Sequence, residues 1–342
     1  MTISNTRPLT LRVVIETFAL KQPFHITGHT MLETDVVTVT LEQDGHTGRG
    51  EASGVYYRKG DDAPGIVEQI EAVRARIEAG IDRESLQRLL PTGGARNALD
   101  CALWDLEAKL TGRPVWQMAG LNPPRPLLTT FTVGANQPEK MALDARAYVD
   151  ARAIKLKLTG ESLDADRVRA VRAARPDVWL GIDANQGFTR ASLETLMPVL
   201  VEARAELIEQ PFKIGQEAQL DGFKSPIPIA ADESAQGLTD VRGLIGRFNV
   251  VNIKLDKCGG LTEGLAMARK ARRLGLDVMV GNMVGTSLAM APSCLVGQLC
   301  KVVDLDGPVF LNTDRDIAAR YRDGFISCEH MPWGNSNHGR AQ

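Results

Sequence analysis

The sequence predicts an α/β protein, a (β/α)7β-type barrel with an N-terminal α+β capping domain. Three observations point to that class. From about Leu127 onward, short apolar segments alternate with helical stretches, the texture of a parallel barrel. The region before it opens with strand-like runs and then turns helical. Five of the later apolar segments end in charge: AIKLKL (Lys155, Lys157), LGIDAN (Asp183), ELIEQP (Glu209), IAADES (Asp232) and VNIKLDK (Lys254). An open doubly wound sheet is the competing architecture. No G-x-G-x-x-G or G-x-x-x-x-G-K-[ST] run supports a nucleotide-binding form of it.

Residues 9–18 and 35–41 have strand composition, and Asp44-Gly45 is a hairpin signal leading into a strand at 47–52. Apolar residues recur at helical spacing over 66–79. Residues 95–110 (ARNALDCALWDLEAKL) form the clearest amphipathic helix, stopped by Gly112-Arg113-Pro114. These elements make up the capping domain, residues 1–122. The barrel, residues 123–311, is expected to have strands beginning near Leu127, Ala153, Trp179, Glu206, Ile227, Val250, Leu276 and Val302. Helices at 163–174, 192–203 and 261–274 fit between them, with Pro198 expected to kink or break the second. Residues 312–342 are expected to return to the capping domain. The uncharged run 278–300 is long enough to span a bilayer. Its Gly, Asn282, Ser, Thr and Pro292 fit a buried strand plus helix better than lipid.

Composition narrows the class of protein. A chain of 342 residues suits a barrel plus a smaller unit, and 44% apolar with 24% charged residues is ordinary for a globular protein. The net charge of −2 gives no reason to expect nucleic acid or an anionic membrane as a partner. Five scattered cysteines without a C-x-x-C pair argue against a disulfide framework or thiolate zinc site and for a reducing cytoplasm. The N-terminal MTISNTRPLTLRVV lacks the apolar core of a signal peptide. The five histidines lack the H-E-x-x-H spacing of a zinc site. A homo-oligomer is compatible with this composition.

The charged strand ends carry the chemistry. In a barrel the active site lies at the C-terminal ends of the strands. Asp183, Glu209 and Asp232 would converge there from three consecutive strands. Three carboxylates without sulfur or imidazole favour a hard divalent cation, Mg2+. Each could instead cap the helix that follows its strand. Lys155 and Lys157 are two apart on a strand and share a face, while Ile154, Leu156 and Leu158 take the other. Two inward ammonium groups repel, which lowers the pKa of one and suits it to act as a general base; an edge strand with a solvated lysine face is the alternative. Lys254 would stand across the barrel. Past the eighth strand, Asp304 and Asp306 share a face and suit a cationic substrate group, or else form a loop-capping pair. Thr132 and Met283 fall near the first and seventh strand ends, where they line the pocket or simply pack.

On these residues the chain resembles the enolase superfamily, in its muconate-lactonizing subgroup. The Lys155-x-Lys157 pair, the Asp183, Glu209 and Asp232 trio and Lys254 match that pattern one by one. Asp304-x-Asp306, with the stretches ARNALDCALWDL and VNIKLDKCGGLTE, looks like the dipeptide epimerases and the alanyl-glutamate epimerases in particular. The resemblance implies a Mg2+ ion on the three carboxylates and Lys157 and Lys254 as bases on opposite faces of a dipeptide. It also implies that Lys155 helps to stabilise developing charge and that Asp304 and Asp306 hold the dipeptide's ammonium group. The product would be the C-terminal residue of an L-Ala-X dipeptide with its α-carbon inverted. One departure concerns specificity. The capping-domain loop at 24–31 (FHITGHTM) lacks the arginine that commonly meets a glutamate side chain. His29 or His25 would meet a polar side chain instead, or the pocket would accept neutral residues. Within the subgroup, cycloisomerisation, o-succinylbenzoate synthesis and N-acylamino acid racemisation are the alternatives. Outside it stand a Schiff-base barrel aldolase and a barrel that binds a ligand without turnover.

Overall fold

Strands β1 (Thr10–Ile26), β2 (His29–Gln43) and β3 (His46–Ala52) form an antiparallel sheet in the order β1-β2-β3. The computed structural model describes residues 7–26 and 29–336; the side chains of Ile26 and His29 lie outside that description. Asp44 and Gly45, at φ +49° and +75°, make the turn that the Asp-Gly signal predicts. Helices α1 (Ala63–Glu78), α2 (Arg83–Leu89) and α3 (Gly94–Thr111) follow. Asp62 caps α1 and Asp82 caps α2, each accepting from a backbone N–H three residues on. Strand β3 lies directly against α3: a Cβ on Gly50 would stand 2.0 Å from the Ala98 carbonyl oxygen. Helix α3 is buried nearly all round because it is held between this sheet and the barrel. Its charged residues therefore find partners. Asp100 accepts from the Thr262 N–H at 2.9 Å, and Arg96 donates to the Glu263 carboxylate at 2.6 Å.

After a one-turn helix α4 (Val115–Met118) and β4 (Leu127–Leu128) comes the parallel sheet. Its strands are β5 (Phe131–Val133), β6 (Ala153–Lys157), β7 (Trp179–Asp183), β8 (Leu207–Glu209), β9 (Ile229–Ala231), β10 (Val250–Ile253), β11 (Asp277–Val280) and β12 (Val302–Val303), paired in chain order. The sheet curls until the Thr130 N–H reaches the Val303 carbonyl at 2.9 Å. Helices α5 (Pro138–Ala147), α6 (Asp164–Ala174), α7 (Arg190–Glu202), the one-turn α8 (Leu255–Cys258), α9 (Leu261–Arg273) and α10 (Ser287–Gly297) run along the connections. The crossovers after β8 and β9 carry only 3-10 turns, at Glu217–Leu220 and Asp240–Leu244. Pro211, Gly215, Gly222 and Pro226 in the first, and Gly237, Gly243 and Gly246 in the second, oppose a longer helix.

Two details differ from the sequence reading, and a third, the uncharged run 278–300, agrees with it. The strand expected near Leu127 is not part of the barrel. Leu127–Leu128 pairs instead with β14 (Phe325–Ser327), which forms a hairpin with β13 (Arg320–Arg322). Pro198 sits inside α7 without ending it. It is exposed, so the carbonyl left without a donor can turn to water. The run 278–300 is strand β11 plus helix α10, and among the described residues no helix is long and apolar enough to cross a membrane.

The period of two along the strands divides the barrel. Ile154, Leu156, Leu180, Ile182, Ile208, Val251 and Ile253 face outward into one core with the helices. Leu207, Ala230, Val250 and Met279 form a separate apolar cluster inside, near the strand starts. One layer further along most of the strands, the inward positions become polar; on β7 and β11 they are Gly181 and Gly281. The C-terminal segment runs past both units: Arg315 reaches Glu51 and Glu16, and the Trp333 indole N–H donates to the Arg49 carbonyl.

Candidate active site

The same alternation that seals the barrel floor sets the charged layer above it. Residues two positions beyond Ala153, Leu207 and Val250 are Lys155, Glu209 and Asn252, and Lys157 and Lys254 stand two further along their strands. Asp183 and Glu209 are neighbours in register across β7 and β8, and Asp232 follows the end of β9. All six of Lys155, Lys157, Asp183, Glu209, Asp232 and Lys254 are buried. Asn185, Gln186 and Gln210, all at positive φ, turn the chain just past the ends of β7 and β8.

The charges interlock. Lys157 Nζ lies 2.5 Å from Asp183 Oδ2, and Lys254 Nζ lies 2.7 Å from Asp232 Oδ2. Lys155 Nζ lies 3.6 Å from Asp183 and 3.4 Å from Glu209, and it touches Asp304. Asn252 donates to Glu209 Oε1 at 2.6 Å. Gly281 keeps room for this layer: a Cβ there would come within 2.8 Å of Asn252 Oδ1 and 3.0 Å of Lys254 Cε.

Burial alone would raise Asp183, but attraction to Lys157 and Lys155 carries its pKa below the usual range. Asp232 moves the same way, through Lys254 and Lys257. Glu209 rises to about 8, from burial first and then repulsion by Asp183. The direction expected for the paired lysines fails at Lys155. Burial pulls it down, yet Asp304, Glu209 and Asp183 outweigh both that and any lysine repulsion, and they hold it protonated. Lys254 is likewise raised, against burial, by Asp232, Glu209 and Asp183.

Three oxygen donors without nitrogen or sulfur suit a hard divalent cation. Among the described residues no group of three Asp, Glu, His or Cys is placed to hold a metal ion as the side chains stand, and an ammonium group lies against each of the three carboxylates. The repulsion that raises Glu209 is what a bound divalent cation relieves. On donor chemistry and charge, the set fits Mg2+.

A cavity opens above this layer. Lys157, Lys254, Asp232 and Met283 line it from the barrel, and Phe24, Met31, Tyr56 and Tyr57 line it from the capping domain. Four buried oxygens of residues on its wall make no hydrogen bond among the described residues: Asp61 Oδ2, Asn185 Oδ1, Glu233 Oε2 and Asn282 Oδ1. Thr132, Asp304 and Asp306 are close by but are not on the cavity wall. The Thr132 N–H donates to Asp306 at 2.6 Å, and Asp304 is engaged by Lys155 and the Thr130 hydroxyl. Asp304 is thus tied through Lys155 to the carboxylate trio, not set apart from it. The His29 side chain lies outside the described residues. The His25 Nδ1 is 2.9 Å from the Thr30 hydroxyl.

Sequence reasoning missed Lys257. It is fully buried on α8, its ammonium 2.5 Å from Asp232 Oδ1 and 3.2 Å from the Asn252 carbonyl. The signal was present in the KLDK stretch: one helical turn after Lys254 brings a residue three positions on back toward the same carboxylate.

Comparison with known proteins identifies the family. Residues 140–330 match the family described as enolase C-terminal domain-like, and residues 9–120 match the mandelate racemase/muconate lactonizing enzyme N-terminal domain. The L-Ala-D/L-Glu epimerase of Escherichia coli is 38% identical over 92% of this chain and 98% of its own. The N-acetyl-D-glutamate racemase of a Pseudoalteromonas species is 40% identical over 75% of this chain and 81% of its own. An enolase family member from Agrobacterium tumefaciens with homology to dipeptide epimerases was solved with sodium and L-Ala-L-Glu. It is 41% identical with a TM-score of 0.92, over 96% of this chain and all of that one. Related dipeptide epimerases at 25–29% identity were solved with Mg and a dipeptide.

Proposed function

The chain belongs to the mandelate racemase/muconate lactonizing group of the enolase superfamily and is related to its dipeptide epimerases, and on that premise we propose that it inverts the α-carbon of the C-terminal residue of an L-Ala-X type dipeptide by two-base proton transfer. One observation carries the reading: Lys157 and Lys254 open on the same cavity from β6 and β10, with three strands between them in the curled sheet.

Two lysines on opposite sides of a bound substrate are what inversion needs, one as the neutral amine and the other as the ammonium. The amine takes the α-proton and becomes an ammonium, and the other lysine delivers a proton to the opposite face; a single base would return it to the side it left. Lys155, deeper in the barrel, adds positive charge where the substrate's carboxylate gains negative charge. Asp183, Glu209 and Asp232 would hold Mg2+, which would supply positive charge toward that carboxylate and offset the negative charge that holds Lys155 and Lys254 protonated. Asp306, and Asp304 once drawn from Lys155, would receive the dipeptide's ammonium group. The unpaired oxygens of Asn185, Glu233 and Asn282 suit a substrate rich in N–H donors. Phe24, Met31, Tyr56, Tyr57 and Met283 offer X apolar contact, and the wall speaks against an acidic X, since Lys157 and Lys254 are its only cations among the described residues while Glu33, Asp35, Asp61, Asp62 and Glu233 add carboxylates.

A second reading, racemisation of an N-acylamino acid, is favoured by the positions of Asp304 and Asp306 behind the cavity wall, because such a substrate brings no ammonium group. A library of L-Ala-X dipeptides and N-acetylamino acids, incubated with Mg2+ in D2O and read by mass spectrometry, separates the two. Deuterium uptake at the α-carbon of dipeptides supports the first reading. Uptake by N-acetylamino acids alone supports the second, and uptake by neither sinks both.

A further inference from the structure

We propose that Cys294 and Cys328 are a modification site, a thiol pair that closes to a cystine when a low-molecular-weight disulfide reaches it. Their sulfurs lie 2.7 Å apart, one on α10 and the other just after β14. The other three cysteine sulfurs keep ordinary distances, 3.3 to 3.9 Å, from oxygen partners. The two chains that carry the pair are independently held together. Strand β14 pairs with β4, and the Gln298 side chain, one turn beyond Cys294, donates to the Arg125 carbonyl. Both cysteines line a shallow groove with Trp116, Arg125, Gln298 and Trp333; Cys328 is partly buried, and Cys294 is the more deeply buried of the two. That arrangement gives an entry residue and a resolving residue.

The chemistry balances in two exchanges. The Cys328 sulfur attacks the small disulfide RSSR and forms Cys328–S–S–R, releasing one RSH. The Cys294 sulfur then attacks the Cys328 sulfur, displaces the second RSH and leaves the cystine. Two protein thiols are oxidised by two electrons, and one RSSR is reduced to two RSH. The hydrogen bond shared with Cys294, and after it burial, raises the Cys328 thiol above its usual pKa, so the first exchange is slow at neutral pH and quickens as pH rises. The bridge joins positions 34 apart in sequence and encloses the stretch that carries Asp304, Asp306 and Arg315.

The test treats the full-length protein with 2-hydroxyethyl disulfide, alkylates the remaining thiols and maps peptides without reduction. The expected result is a fall from five alkylatable thiols to three, with fragment ions assigning the bridge to Cys294 and Cys328, and full reversal by dithiothreitol. Cys300, also partly buried but without a sulfur neighbour, is the internal control. Cys294→Ser should trap the mercaptoethanol adduct on Cys328, and Cys328→Ser should abolish bridging at Cys294. A stable adduct on Cys328 in the unmodified protein would overturn the proposal. So would a bridge through Cys300, or modification of Cys300 alone. If Cys294→Ser fails to fold, Cys328→Ser and the unmodified protein still decide the matter.

Discussion

Lys257 fixes one oxygen of Asp232 while Lys254 meets the other. A carboxylate held from both sides keeps its orientation whatever the substrate does. Lys257→Met should therefore weaken Mg2+ binding by about 10–100-fold, the usual cost of removing a support behind a metal ligand. Calorimetric titration of metal reads this directly; unchanged affinity would show that Asp232 needs no such anchor. Gly281→Ala pushes a methyl group against Asn252 and the Lys254 side chain. On the proposed two-base reaction, displacing Lys254 by a fraction of an ångström should lower kcat by about 10²-fold. Asp306 offers a pH test. Burial first, then the neighbouring Asp304, raises its carboxyl to about 6. It is neutral below that pH and charged above. For a substrate with an ammonium group, kcat/KM should fall about tenfold per pH unit below 6. Asp306→Asn should remove that limb of the profile along with most of the activity.

Among the elements, the N-terminus of α9 is the clearest case of one unit holding another. Asp100 on α3 accepts from the Thr262 N–H and hydroxyl and from the Gln87 amide. Asp100→Ala strands these donors at a buried interface and should cost about 1–3 kcal/mol, measured by thermal unfolding. The strand starts and most helices were legible because their periods are strong. The β13–β14 hairpin was not read, although Asp323-Gly324 carries the signal that located the turn at Asp44-Gly45. Its strands are only three residues long, too short for alternation to show. Leu127 misled because two apolar residues cannot say which sheet they join. At the site, the period of two put Lys155 and Lys157 on one face correctly. The protonation of Lys155 was illegible, because it depends on three carboxylates brought by β7, β8 and the turn after β12.

For the molecule as a whole, Arg315 is the pin. It reaches Glu51 at 2.7 Å and Glu16 at 2.8 Å, while Glu51 also accepts from the Thr286 N–H at the start of α10. One guanidinium thus joins the capping sheet, a barrel helix and the C-terminal segment. Glu51 is fully buried, so Arg315→Ala leaves its charge without a counter-ion. The loss should be about 3–5 kcal/mol by urea unfolding, with Arg315→Lys recovering part of it.

The cavity's floor and roof come from different stretches of chain. Lys157, Lys254 and the carboxylates stand on barrel strands, while Phe24, Met31, Tyr56 and Tyr57 descend from the capping sheet and the loop that follows it. A lineage can therefore accumulate changes in the roof while the charged floor stays intact. Each intermediate keeps a working engine, and a new substrate can be tried without first passing through a dead enzyme.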